Sequence, residues 1–190
     1  MKNIVVFASG SGTNAEKIIE YFQDSPIASV THVFSNVKSA GVLDRAKTLN
    51  VRTFTFSKDQ LSSGVVLDKL KSAKADLIVL AGFLKHIPKE IVEAYPDKII
   101  NIHPALLPDY GGLGMYGMNV HRAVVENEEE ETGITIHYVN EEYDMGDIIF
   151  QESVEVDYED TPEDVAYKVQ QLEHEHFAPM IEWVIKESEE

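Results

Sequence analysis

Asn101 and His103 stand two residues apart at the end of the apolar run Ile99-Ile100, and Pro104 follows directly. Side chains alternate along an extended chain, so residues 101 and 103 share one face and Ile102 takes the other. An amide donor beside a titratable base suits a reaction in which an oxygen becomes negative while a proton moves. A strand ending on this pair sets it at the carboxyl edge of a sheet, where open α/β sheets bind ligands. The same residues also fit a hydrogen-bonded asparagine and a core histidine at an ordinary strand end. The imidazole would need a carboxylate to orient it. Asp144, in the loop after an alternating stretch, is the leading candidate, although a loop aspartate is commonly a turn residue.

Other chemistries find less support. The seven histidines are His32, His86, His103, His121, His137, His174 and His176, and no HExxH pattern occurs. On a helix, His174 and His176 would face apart, so no metal site is expected. Ser9 and Ser11 lie outside any G-x-S-x-G elbow. With no cysteine, disulfides, thiolate nucleophiles and cysteine-ligated metals are excluded.

A second feature lies near the start. The apolar run 4–8 breaks into Ser9-Gly10-Ser11-Gly12-Thr13-Asn14, after which Ile18, Ile19 and Phe22 recur at helical spacing. Thr13 and Glu16 match a capping box. Strand, glycine turn and capped helix make a cradle in which free N–H groups and the helix dipole face an anion. Gly10, Gly12 and Ala15 also fill the small positions of a dinucleotide fingerprint, but no acidic residue follows the second strand (28–34) to hold a ribose. The loop reads as a monophosphate site, or else as a tight turn.

The elements that must position these groups follow from periodicity. Helices are expected at 40–49, 61–73 (with Val65, Val66, Leu67 and Leu70 inward) and 120–125, and a short one with Pro88 in its first turn. Strands are expected at 51–56, 77–81 and 98–102. Strands alternating with helices imply right-handed crossovers and a parallel sheet. From Asp109 to Gly117 four glycines in nine residues make a loop, either a lid or a flexible turn, and residues 128–131 form a solvated acidic run. Residues 132–139 alternate and a strand at 148–156 follows closely, so these two should be antiparallel. Thr161-Pro162 starts a final helix that carries Val165, Val169, Leu172, Phe177 and Ile181 inward, with Pro179 as a kink or break. The fold class expected is α/β and Rossmann-like: a mainly parallel twisted sheet flanked by helices, an antiparallel addition near the C-terminal end, and a long last helix.

Length and charge set the frame. The 190 residues fit a single domain, 1–190, and 44% apolar content rules out a disordered chain. No apolar stretch approaches a bilayer span, and the apolar region at the N-terminus is too short for a signal peptide. A net charge of −17 repels nucleic acid and anionic membranes, so neither is an expected partner. The cysteine-free composition is compatible with the cytoplasm, the expected location.

The chain resembles the phosphoribosylglycinamide formyltransferase family of folate-dependent formyltransferases. Five ordered blocks carry the likeness: residues 9–14, 79–84, 101–108, 133–146 and Gln171-Leu172-Glu173-His174. The resemblance implies formyl transfer from 10-formyltetrahydrofolate, as cosubstrate, to the amine of 5'-phosphoribosylglycinamide in purine synthesis, by a monomer or homodimer acting on small molecules. It puts the catalytic amide, imidazole and carboxylate on Asn101, His103 and Asp144, with Asp144 raising the His103 pKa. It puts the ribose-phosphate loop on Gly12, Thr13 and Asn14, and the carboxylate that holds the glycinamide on Glu173. Its folate pocket falls on Leu84, Lys85, His86 and Ile87, on Asn101, and on Asn140, Glu141, Glu142, Tyr143 and Asp144. Three departures stand out: Gly64 and Lys85 where the family often has arginine, and a longer glycine-rich stretch at 111–117. A lysine cannot form the bidentate fork of an arginine. A methionyl-tRNA formyltransferase should add a C-terminal domain and basic surface, a folate deformylase an N-terminal domain, and a non-catalytic phosphate-binding module would not need the three catalytic groups together.

Overall fold

The computed structural model describes residues 1–188 of the chain. In chain order, β1 (Lys2–Phe7), α1 (Thr13–Phe22), β2 (Ala28–Ser35), α2 (Gly41–Thr48) and β3 (Arg52–Thr55) form one flank of the sheet. Two short helices follow, α3 (Lys58–Ser62) and α4 (Val65–Ser72), and then β4 (Leu77–Leu80), α5 (Lys89–Ala94) and β5 (Ile99–His103). The chain closes with α6 (Met118–Glu126), β6 (Glu131–Tyr138), β7 (Ile148–Glu155) and α7 (Pro162–Glu187). All seven strands join in one sheet of order β3-β2-β1-β4-β5-β6-β7. The first five pair in parallel, while β6 runs antiparallel to both β5 and β7. This is the expected Rossmann-like class with its antiparallel addition and long final helix.

Both faces of the central strands are covered, which is why their sequences do not alternate. In β1, Ile4 and Val6 pack into a core with α1, α2 and α7, whereas Val5 and Phe7 pack into a second core with α4 and α5. The order of the chain reverses at β1: β2 and β3 lie on one side, β4 and β5 on the other. Loops leaving β1 and β4 therefore diverge and leave a crevice beyond their carboxyl ends. Ser9 bridges the two loops, its N–H donating to Gly82 O at 3.0 Å and its hydroxyl accepting from Leu84 N–H at 3.0 Å.

Several local expectations need correction. The helix expected at 61–73 is two helices, because Gly64 adopts φ +86° and turns the chain between them. Val66 and Leu70 are buried, but Val65 faces solvent. Pro88 caps α5 from outside its first turn. Thr13 and Glu16 form no capping box; Gly12, at φ +78°, is the residue before α1, and no side chain caps the helix. Glu16 instead pairs with Arg45, whose Nε donates to Ser11 O at 2.9 Å, so the ion pair braces the loop from outside. The capping box does occur at α7, between Thr161 and Asp164. That helix runs unbroken through Pro179, whose ring is exposed, so water can serve the Glu175 carbonyl that proline leaves without a helical partner. No described helix is long and apolar enough to cross a membrane.

Candidate active site

A cleft of about 740 Å³ opens at the carboxyl ends of β1, β4 and β5. Asn101 and His103 reach it from the end of β5, as the alternation required. His103 is only 3% exposed. Its Nε2 lies 2.8 Å from the Tyr110 carbonyl, an acceptor only, so Nε2 carries a proton and Nδ1 is left to face Asp144 Oδ2 at 3.6 Å. The other carboxylate oxygen, Oδ1, lies 3.6 Å from His137 Nε2. These are ion-pair separations, longer than hydrogen bonds. Asp144 itself is held at φ +53° and accepts the Gly112 N–H at 2.9 Å, which ties it to the glycine-rich loop.

The electrostatics of the trio follow from burial and mutual charge. Burial pushes the Asp144 carboxyl up, but the neighbouring His137 ring (when its Nε2 carries a proton), the His103 ring and the Gly112 N–H outweigh it and hold the group below the ordinary carboxylate range. Burial pushes His103 down; Asp144 and the Tyr110 carbonyl push it up without overcoming burial. Asp144 thus acts on His103 in the expected direction, although burial outweighs it and leaves the ring below its ordinary value.

The far end of the cleft is built by α1 and α7. The first intrahelical bond of α1 is Glu16 N–H to Gly12 O, so the N–H groups of Thr13 and Asn14 precede the helical ladder. Asn14 Nδ2 donates to Glu173 Oε2 at 2.8 Å, and Gln170 Nε2 reaches Thr13 Oγ1 at 3.4 Å. Asn14 Oδ1 is buried without a hydrogen-bond partner, and burial raises the Glu173 pKa against the opposing Asn14 bond. N–H groups outside the helical ladder thus sit beside two acceptors, a pairing that suits a ligand with a phosphate at one point and an N–H or O–H donor at another.

The walls between these ends come from two loops. Leu84, Lys85, His86 and Ile87 line one side, and Asn140, Glu142, Tyr143 and Asp144 line the other. His86 ties the walls together, with Nε2 2.9 Å from the Glu141 carbonyl and its ring 4.7 Å from that of Tyr143. Three expected site residues do not line the cleft. Gly12 and Thr13 stand behind it as the loop backbone, and the Glu141 side chain turns outward to Lys89 Nζ at 3.0 Å. Among the described residues, no group of three or more His, Asp or Glu side chains is arranged to hold a metal ion.

A formyl transferase family model matches residues 2–181. The chain belongs to the formyl transferase family. It is 40% identical over 193 residues to the chloroplastic phosphoribosylglycinamide formyltransferase of Arabidopsis thaliana, covering 98% of this chain and 66% of that protein. The chain therefore spans just under two thirds of the length of that plant relative. To the phosphoribosylglycinamide formyltransferase of Escherichia coli (strain K12) it is 35% identical over 187 residues, 95% of this chain and 86% of the relative. The solved structure of glycinamide ribonucleotide transformylase 1 from Symbiobacterium toebii superposes with a TM-score of 0.90 at 30% identity, covering 98% of this chain and 88% of that one.

In this member of the formyl transferase family, two histidines enter the site that spacing did not single out. His137, 2% exposed, lies directly across the β5–β6 ladder from Asn101. Its alternation in 132–139 was visible, but the pairing register that sets it against Asn101 was not. His121, on α6, lines the cleft with a buried and unpartnered Nδ1, and burial followed by the nearby His103 pushes it down to about 4. No sequence signal marks it, because helix α6 reads as an ordinary amphipathic helix.

Proposed function

We propose that the cleft transfers the formyl group of 10-formyltetrahydrofolate to the amino group of 5'-phosphoribosylglycinamide, a step of de novo purine (IMP) biosynthesis. One observation carries the reading: Asn101, His103 and Asp144 converge on one cleft whose other end is the loop at Gly12, Thr13 and Asn14. The ribonucleotide phosphate takes the loop N–H groups, and Glu173 with Asn14 Oδ1 receives the glycinamide end. The folate lies between the wall of Leu84, Lys85, His86 and Ile87 and the wall of Asn140, Glu141, Glu142, Tyr143 and Asp144. Glu141 contributes through its carbonyl bond to His86 rather than through its side chain. The enzyme works in the cytoplasm as a monomer or homodimer and needs no metal, nucleic acid or membrane.

The neutral amine attacks the formyl carbon, and the carbonyl electron pair moves onto oxygen. Asn101 donates an N–H to that oxyanion. The attacking nitrogen then sheds a proton and the folate nitrogen gains one as its bond to carbon breaks. His103, as an imidazolium favoured by Asp144, stabilises the intermediate and serves this proton transfer. The Tyr110 carbonyl holds His103 Nε2–H, so that contact exchanges for one with substrate when the proton is passed.

The test is to incubate the protein with 10-formyltetrahydrofolate and either the ribonucleotide, charged initiator tRNA or water, and to follow folate release. Release with the ribonucleotide alone is the expected result; release with tRNA or water alone would replace this reading. Asn101→Ala and His103→Ala should each fold and lose on the order of 100- to 1000-fold in turnover. Near-normal turnover in either variant removes that residue from the mechanism.

A further inference from the structure

His137 has no part in the proton transfer above, yet its ring lies within hydrogen-bond distance of the amide assigned to the oxyanion. Strand β6 sets it opposite Asn101 in the antiparallel ladder, so the two side chains stand on one face of the sheet. Two hydrogen bonds fix its tautomer. His137 Nδ1 lies 2.8 Å from the Tyr138 carbonyl oxygen, which can only accept, so Nδ1 carries the proton. A neutral ring then offers a bare lone pair at Nε2, and Asn101 Nδ2 lies 3.1 Å from it.

An asparagine amide has two nearly isosteric ends, one donating and one accepting. Turned by 180°, Asn101 would set its oxygen against the Nε2 lone pair and lose the bond. Held as it is, one N–H of Nδ2 rests on His137 and the other is left for the cleft. We infer that His137 is a positioning residue: through its Nδ1-protonated tautomer it selects the donating end of Asn101 for the formyl oxygen. This rests on the reading of Asn101 as the oxyanion donor.

The same bond also bears on Asp144, whose carboxylate stands 3.6 Å from His137 Nε2 and 3.6 Å from His103 Nδ1. A proton on His137 Nε2 would compete with the Asn101 N–H for one site. With Asn101 bound there, the proton that Asp144 attracts goes to His103, the ring assigned to proton transfer. His137 thereby orients one catalytic group and leaves the charge to the other.

The experiment has two arms. In the first, ¹⁵N spectra of the histidine rings in the wild-type protein read the tautomer directly, with His137→Gln as the assignment control. The expected result is a protonated Nδ1 and an unprotonated Nε2 at His137; a protonated Nε2 overturns the inference. This arm holds whether or not the protein transfers formyl groups. In the second, kcat and KM are measured for His137→Phe, His137→Gln, Asn101→Ala and the Phe/Ala double variant. His137→Phe should lower kcat on the order of 100-fold with KM for both substrates little changed. His137→Gln, whose carbonyl can accept from Asn101, should recover most of that loss. The double variant should match Asn101→Ala within about twofold, because His137 acts only through that amide. Losses that multiply, or full turnover in His137→Phe, overturn the inference. Wild-type inactivity with the ribonucleotide would instead sink the proposed function and leave the spectral arm to decide the tautomer.

Discussion

Replacing Gly12 by alanine tests the proposed anion loop at the atom that shapes it. The backbone there has φ +78°, and an added Cβ would lie 2.3 Å from Val42 Cγ2, 2.4 Å from Val42 Cβ and 2.7 Å from Val42 Cα. A left-handed conformation costs an ordinary residue roughly 1–2 kcal/mol. Crowding a packed site adds about 1–3 kcal/mol. Trimming Val42 brings no relief, because its Cα stays in the way, so the start of α2 must move off the loop. The sum, roughly 2–5 kcal/mol, corresponds to a fall in Tm of roughly 4–20 °C for a chain of this size. Gly10 is the internal control: nothing lies within 4 Å of its added Cβ and its φ is not positive. Gly10→Ala should therefore stay within about 0.5 kcal/mol of wild type. Thermal unfolding followed by circular dichroism measures both, and calorimetric titration with the ribonucleotide measures the loop's binding. A Gly12→Ala protein that melts with wild type and binds the ribonucleotide as tightly would refute the argument.

Two further outcomes concern protonation. Burial raises the Glu173 pKa, so between its unfolded and folded values the unfolded chain binds fewer protons and stability falls as pH rises. Glu173→Gln should therefore raise Tm near about pH 8, by an amount that shrinks as the medium is acidified, while weakening ribonucleotide binding; an unchanged melting profile and affinity would count against both roles. His121 has the opposite sense, because its folded value of about 4 lies below the ordinary 6.5, so stability is lost as pH falls through that interval. His121→Leu should flatten this acid limb of the Tm–pH curve, and an identical slope would show that the ring does not titrate as argued.

Much of this site could be read from residues alone, for identifiable reasons. Asn101 and His103 were visible because a strand's period is two, which fixes shared faces without any knowledge of partners. The loop at 9–14 was visible because glycines interrupt an apolar run just before a helical pattern. Asp144 was different: spacing offered it only as one loop aspartate, and its place beside His103 depends on a positive φ and a bond to Gly112. His137 was hidden by strand register, which alternation leaves open by steps of two. The break at Gly64 was hidden because apolar periodicity continues across it while the backbone does not. The Glu16 misreading came from a local pattern overruled by Arg45, which lies 29 residues away in sequence.

The clasp between Asn14 and Glu173 joins residues 159 positions apart. Synthesis therefore delivers Asn14 long before the carboxylate that it binds. A ribosome-bound chain can thus have every strand of this sheet and still lack the Asn14–Glu173 end of the cleft, because α7 has yet to dock. That end of the cleft is complete only once α7 has docked, so under the proposed function ribonucleotide capture would report the docking of α7 rather than the closing of the sheet.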